Sequence, residues 1–291
     1  MVMNNLYTNN SNLVLSAHNI ALAYGLARPL IANFSLAVSA GEIVTVLGPS
    51  GIGKSSLLRV FAGLQTASDG QVFAGNERVT GVHPQVAMAF QDPSLLPWLN
   101  LEQNVAFGLD FKHQPTLSKQ QRQARVDLAI QEVGLEHARK RYPHELSGGM
   151  AQRAALARCI ARQSSVLLLD EPFGALDEVT RDAMQQLLLR VRDDFGTAAV
   201  LITHDIDEAM RVSDRIVLLG GTPAHVYAEW SLNHVQPRDL LDGQMQALRV
   251  EILHALRASI EGVVSRQFVS QRRDSDLARS ALYRQELSNV H

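Results

Sequence analysis

Gly48-Pro49-Ser50-Gly51-Ile52-Gly53-Lys54-Ser55-Ser56 sets glycines, a lysine and hydroxyls at the spacing that wraps a chain of phosphates. Glycines let successive backbone N–H groups approach the phosphate oxygens. The following helix offers its positive end, Lys54 reaches the β and γ oxygens, and the Ser55 hydroxyl suits Mg²⁺. All nine residues are therefore expected to contribute to a nucleoside triphosphate site. The competing reading is a glycine-rich turn that only joins strand to helix.

Two further groups carry chemistry. Asp170 and Glu171 follow the apolar run Val166 to Leu169, placing two carboxylates at a strand end, where open α/β sheets bind ligands. Asp170 suits Mg²⁺, directly or through water, and Glu171 suits polarising a water for attack on a γ-phosphate. Two solvated acids at an ordinary strand end are the alternative. Ser147, Gly148 and Gly149 open an Ala-rich helical run, where unpaired N–H groups make an anion site or a plain capped helix start.

The elements that must hold these groups are legible in outline. Glu42 to Leu47 reads as the strand feeding the phosphate loop, and Leu57, Leu58 and Phe61 as the helix leaving it. Short strands are expected between Leu13 and Leu30, and others at 71–73, 85–90, 166–169, 198–203 and 215–219. Helical patterns separate the later ones, which predicts a largely parallel sheet covered on both faces. Residues from about 95 to 162 read as mostly helical, an insertion into the α/β unit. Beyond Trp230 the pattern predicts helix, with Leu248, Ile252, Leu253 and Leu256 on one face, then a looser charged stretch.

With 291 residues and a formal charge of −2, the chain is long enough for a large core and lacks the basic excess of a dedicated nucleic-acid binder. The single cysteine, Cys159, reads as a packing residue, and no disulfide framework exists. Apolar runs are too short for a membrane helix of about 20 residues. Residues 1–12, Asn-rich and uncharged, are expected to be a disordered lead.

Leu146-Ser-Gly-Gly-Met150, between the phosphate loop and Asp170-Glu171, resembles the ATP-binding subunits of ABC transporters over about residues 13–225. The resemblance implies a P-loop NTPase of ABC ATPase type, an α/β fold with a mostly parallel core sheet and an antiparallel β part. Its helical subdomain spans about 95–162, and a helical C-terminal extension covers 226–291. It implies that Ser147, Gly148 and Gly149 complete the nucleotide site of an opposite subunit, with Met150 where a glutamine is usual. Tyr24 is similar to the aromatic residue that stacks on adenine, its alternative being a core aromatic. Gln91 resembles the glutamine that contacts Mg²⁺ or the attacking water and faces the membrane subunit. Gly174 to Asp177 resembles the loop that crosses the dimer interface, and His204 the histidine at the γ-phosphate. Asp205, Asp207 and Glu208 read as acids complementing a helix dipole.

By the same resemblance the ligands are ATP and Mg²⁺, and the partners a like or unlike ATPase subunit and membrane permease subunits. A periplasmic or lipoprotein solute-binding protein acts indirectly, and no nucleic acid is involved. The expected place is the cytoplasmic face of the inner membrane. Leu95-Leu-Pro-Trp-Leu99 resembles the nitrate, taurine and aliphatic sulfonate importer branch. Bicarbonate and thiamine-precursor importers share that look. An ABC-type ATPase acting on nucleic acid or ribosomes and a P-loop kinase are the other classes.

Overall fold

A computed structural model describes residues 12–23, 29–111, 114–174, 176–232, 236 and 238–260. Its centre is a six-stranded sheet. Strands β3 (Ile43–Leu47), β6 (Val86–Ala89), β7 (Val166–Asp170), β8 (Ala198–Ile202) and β9 (Arg215–Gly220) run parallel, and β10 (His225–Ser231) pairs antiparallel to β9. The order is β10-β9-β3-β8-β7-β6. Every residue of β3, β7 and β8 is buried, as a sheet covered on both faces requires.

Alternation along these strands divides the core. Leu167, Leu169, Ala199 and Leu201 face one way, toward α2 (Leu101–Ala106), α3 (Lys119–Glu132), α4 (Gly148–Ala161) and α5 (Glu178–Phe195). Val166, Leu168, Val200 and Ile202 face the other, toward α1 (Lys54–Phe61) and a four-stranded antiparallel sheet. That second sheet has the order β2-β1-β4-β5, built from β1 (Leu13–Leu22), β2 (Ile31–Ser39), β4 (Asp69–Ala74) and β5 (Glu77–Arg78).

Three regions depart from the sequence reading. One ten-residue strand, β1, replaces the expected short strands after Leu13, and β2 is additional, its Phe34, Leu36 and Val38 alternating into the core. Residues 95–100 are a tight loop instead of helix. Asn104, fully buried, holds it: its Oδ1 accepts from Leu96 N–H, and its Nδ2 donates to the Leu96, Leu99 and Asn100 carbonyls. Finally, β10 continues the sheet past residue 225, so helix begins later than expected, at α7 (residues 243–260).

Met245, Leu248, Ile252 and Leu256 of α7 pack with Ile216 and Leu218 of β9, and with Ala209 and Met210 of α6 (Ile206–Val212). The expected lead over 1–12, but for Asn12, and the looser stretch after residue 260 lie outside the described residues. Cys159 is buried in α4, and burial pushes its thiol pKa up, which suits a packing residue.

Candidate nucleotide site

The phosphate loop links β3 to α1. Gly53 caps α1 with φ 105°, a left-handed conformation that suits glycine, and a Cβ there would lie 2.8 Å from Leu30 Cδ2. Both constraints keep the helix N-terminus bare. Lys54 is buried, with Nζ donating to the Gly48 and Pro49 carbonyls at 2.8 and 3.0 Å. Burial lowers its pKa, while Glu171 and Asp170 pull the other way.

Ser55 Oγ donates to Asp170 Oδ1 at 3.0 Å, joining the first turn of α1 to the end of β7. Burial raises the Asp170 pKa, opposed by the Ser55 hydrogen bond. Glu171 follows at φ 47°, a conformation uncommon for a side-chain-bearing residue, and turns away from the sheet. Its two oxygens meet two separate elements: Gln91 Nε2 donates to Oε2 at 3.1 Å, and His204 Nδ1 lies 3.3 Å from Oε1. Gln91 follows β6 and His204 follows β8, so three neighbouring strand ends converge on one carboxylate.

Ser147, the N-cap of α4, accepts from Met150 N–H at 3.3 Å and is exposed. A Cβ on Gly149 would lie 2.7 Å from Thr180 Cγ2, so glycine there permits close packing of α4 on α5. Asp177 caps α5, accepting from Thr180 N–H at 3.0 Å and from its hydroxyl at 2.7 Å, and these bonds hold its pKa down. No hydrogen bond among the described residues joins 147–149 to 48–55. Tyr24 lies outside the described residues.

Two contributions escaped the sequence reading. Arg158 of α4 donates to the Pro93 and Ser94 carbonyls, tying the helix that Ser147 opens to the segment after Gln91. Glu208 does lie with Asp207 in the first turn of α6, as read, with Asp205 as the cap accepting from the Asp207 and Glu208 N–H groups. It also turns inward, 4% exposed, and accepts from Thr203 Oγ1 at 2.6 Å.

The ABC transporter family model matches residues 31–174. An aliphatic sulfonates import ATP-binding protein of Xanthomonas axonopodis pv. citri (strain 306) is 42% identical over 84% of this chain and 96% of its own length. The chain belongs to the ABC transporter family, as an ATP-binding subunit. A nitrate transport protein of Klebsiella oxytoca is 38% identical, covering 77% of this chain and 87% of that protein. A taurine import ATP-binding protein of Roseobacter denitrificans (strain ATCC 33942 / OCh 114) is 37% identical over 75% and 82%. Among solved structures, a dimeric ATP-binding cassette in a post-hydrolysis state bound to ADP and Pi has 29% identity and a TM-score of 0.67. It covers 76% of this chain and all of that one.

Proposed function

We propose that this ATPase subunit powers import of a small anion, of the nitrate, taurine or aliphatic sulfonate kind, by closing on ATP as a head-to-tail dimer. The observation that carries the catalytic reading is the convergence of Gln91 and His204 on Glu171 beside the Ser55–Asp170 pair. The three relatives' names support the cargo class.

In this reading, phosphates lie along residues 48–56 with Lys54 at the β and γ oxygens. Glu171 orients and polarises the attacking water, and Gln91 and His204 fix the two Glu171 oxygens so that the carboxylate faces it. Oxygen donors at Ser55, Asp170 and Gln91 suit a hard cation, and these residues would hold Mg²⁺. Bound there, Mg²⁺ would offset phosphate charge. Among the described residues no group of three or more His, Cys, Asp or Glu could hold a metal, so nucleotide and water would supply the remaining ligands. Ser147, Gly148 and Gly149 complete the partner's site with N–H groups and a hydroxyl, and Asp177 lies beside that interface.

No described helix is long and apolar enough to cross a membrane. In this reading the chain works through permease subunits at the cytoplasmic face of the inner membrane, with a periplasmic or lipoprotein solute-binding protein acting indirectly. Trp98, 69% exposed in the loop pinned by Asn104, is the docking residue we assign to the permease. Purified with its permease in proteoliposomes, the protein should show ATPase activity stimulated by one of nitrate, taurine or an alkyl sulfonate with its binding protein. Stimulation by none of these anions, alongside stimulation by a thiamine precursor, would overturn the cargo reading.

A further inference from the structure

Behind His204 lies a largely buried polar chain that, among the described residues, bonds neither the phosphate loop nor the carboxylates of the site. Thr203, 2% exposed at the end of β8, accepts from Asp205 N–H at 3.0 Å and donates its hydroxyl hydrogen to Glu208 Oε2 at 2.6 Å. The other oxygen, Glu208 Oε1, faces Arg181 Nε of α5 at 3.5 Å. Arg181 Nη2 in turn donates to the Leu176 carbonyl at 3.1 Å, and the Arg181 backbone N–H donates to the Asp177 carbonyl at 2.8 Å as the first helical bond of α5. One carboxylate thus bridges the segment that ends in His204 and the segment that carries Asp177.

We propose that Glu208 is a positioning residue for His204, and that Leu176–Arg181–Glu208–Thr203 makes the His204 backbone follow the placement of the Asp177 loop. The inference rests on the reading of His204 and Asp177 given above. Burial pushes the Glu208 pKa up, so the fold holds this carboxylate against a desolvation cost. An apolar residue of similar volume is usually as stable at such a place. Its two oxygens are spent on two different elements, which is what a link between them needs. The consequence is that movement of the Asp177 loop on dimer closure reaches His204 within the same chain.

The test is steady-state ATP hydrolysis by the full chain with Glu208→Ala, Glu208→Gln, Arg181→Ala, His204→Ala and the Glu208→Ala/His204→Ala double variant. Urea midpoints are measured alongside. Glu208→Ala and Arg181→Ala should lower kcat by about tenfold with KM for ATP within about threefold, and Glu208→Gln, still able to accept from Thr203, should recover much of the loss. On the His204→Ala background, Glu208→Ala should remove nothing further, because it acts through His204. Losses that multiply in the double variant, or follow the urea midpoints alone, would overturn the link. If Glu208→Ala does not fold, Arg181→Ala with unchanged kcat overturns it equally. Full activity in His204→Ala would instead overturn the site reading itself.

Discussion

The two functional edges of this molecule are built in opposite ways. Around Glu171 and Asp170 the polar groups of four separate segments are bonded to one another across the sheet: Ser55 to Asp170, and Gln91 and His204 to Glu171. Around Ser147 and Asp177 each side chain, among the described residues, bonds only its own helix, as a cap, and both residues are exposed. The first edge is assembled within the chain. The second is exposed, and in the function proposed above it acquires a ligand only when another surface arrives. The contrast is what a site shared between two copies requires.

Variants can break either side of this contrast. The largest effects on turnover are expected at both edges, and nucleotide binding separates them. Lys54→Ala should lower ATP turnover by about 10²–10³-fold, because it removes the cation we propose for the β and γ oxygens, as read by a phosphate-release assay. Ser147→Arg should abolish hydrolysis to a similar degree while leaving binding of a fluorescent ATP analogue to the same chain within about threefold. Loss of binding in Ser147→Arg would erase the distinction between the edges.

Smaller effects separate function from stability. Because burial holds the Asp170 pKa above its usual range, the charged form costs folding energy. The sign follows: a raised carboxylate pKa makes the fold relatively less stable as pH rises through it. Asp170→Asn should therefore raise the apo unfolding midpoint while weakening Mg-dependent nucleotide binding. Denaturation in urea with and without Mg-ATP reads both.

Ile252→Ala, in the α7 core contact, should cost about 2–4 kcal/mol of stability, checked by the urea midpoint. Arg249→Ala breaks a half-exposed ion pair to Asp207 and should leave the urea midpoint nearly unchanged. The smallest effect on turnover belongs to Trp98→Ala, with ATPase of the isolated subunit within about threefold and assembly with permease reduced.

How far the sequence revealed this follows the range of the interactions. Residues 48–56 declare themselves because backbone chemistry demands glycines at fixed spacing. Asp170 and Glu171 are visible because an apolar strand ends at them. The meeting of Gln91, Glu171 and His204 depends on the strand order, and the family resemblance supplied it where periodicity alone did not. Glu208 was hidden because an acid in the first turn of a helix has an adequate local explanation. Only the position of Arg181 on another helix shows the second role. β10 was hidden differently. Val226, Ala228 and Trp230 alternate inward against β9, but an edge strand buries one face only and carries a weak signal.

The central claim is that one chain holds two half-sites that only a second copy completes. Size-exclusion chromatography with light scattering on Glu171→Gln tests it most directly, since that variant should bind Mg-ATP and fail to hydrolyse it. The account predicts a shift from the 32.0 kDa chain to about twice that mass on adding Mg-ATP, reversed by adding Ser147→Arg to the same chain. A Glu171→Gln protein that binds nucleotide and stays monomeric at every concentration tried would contradict it.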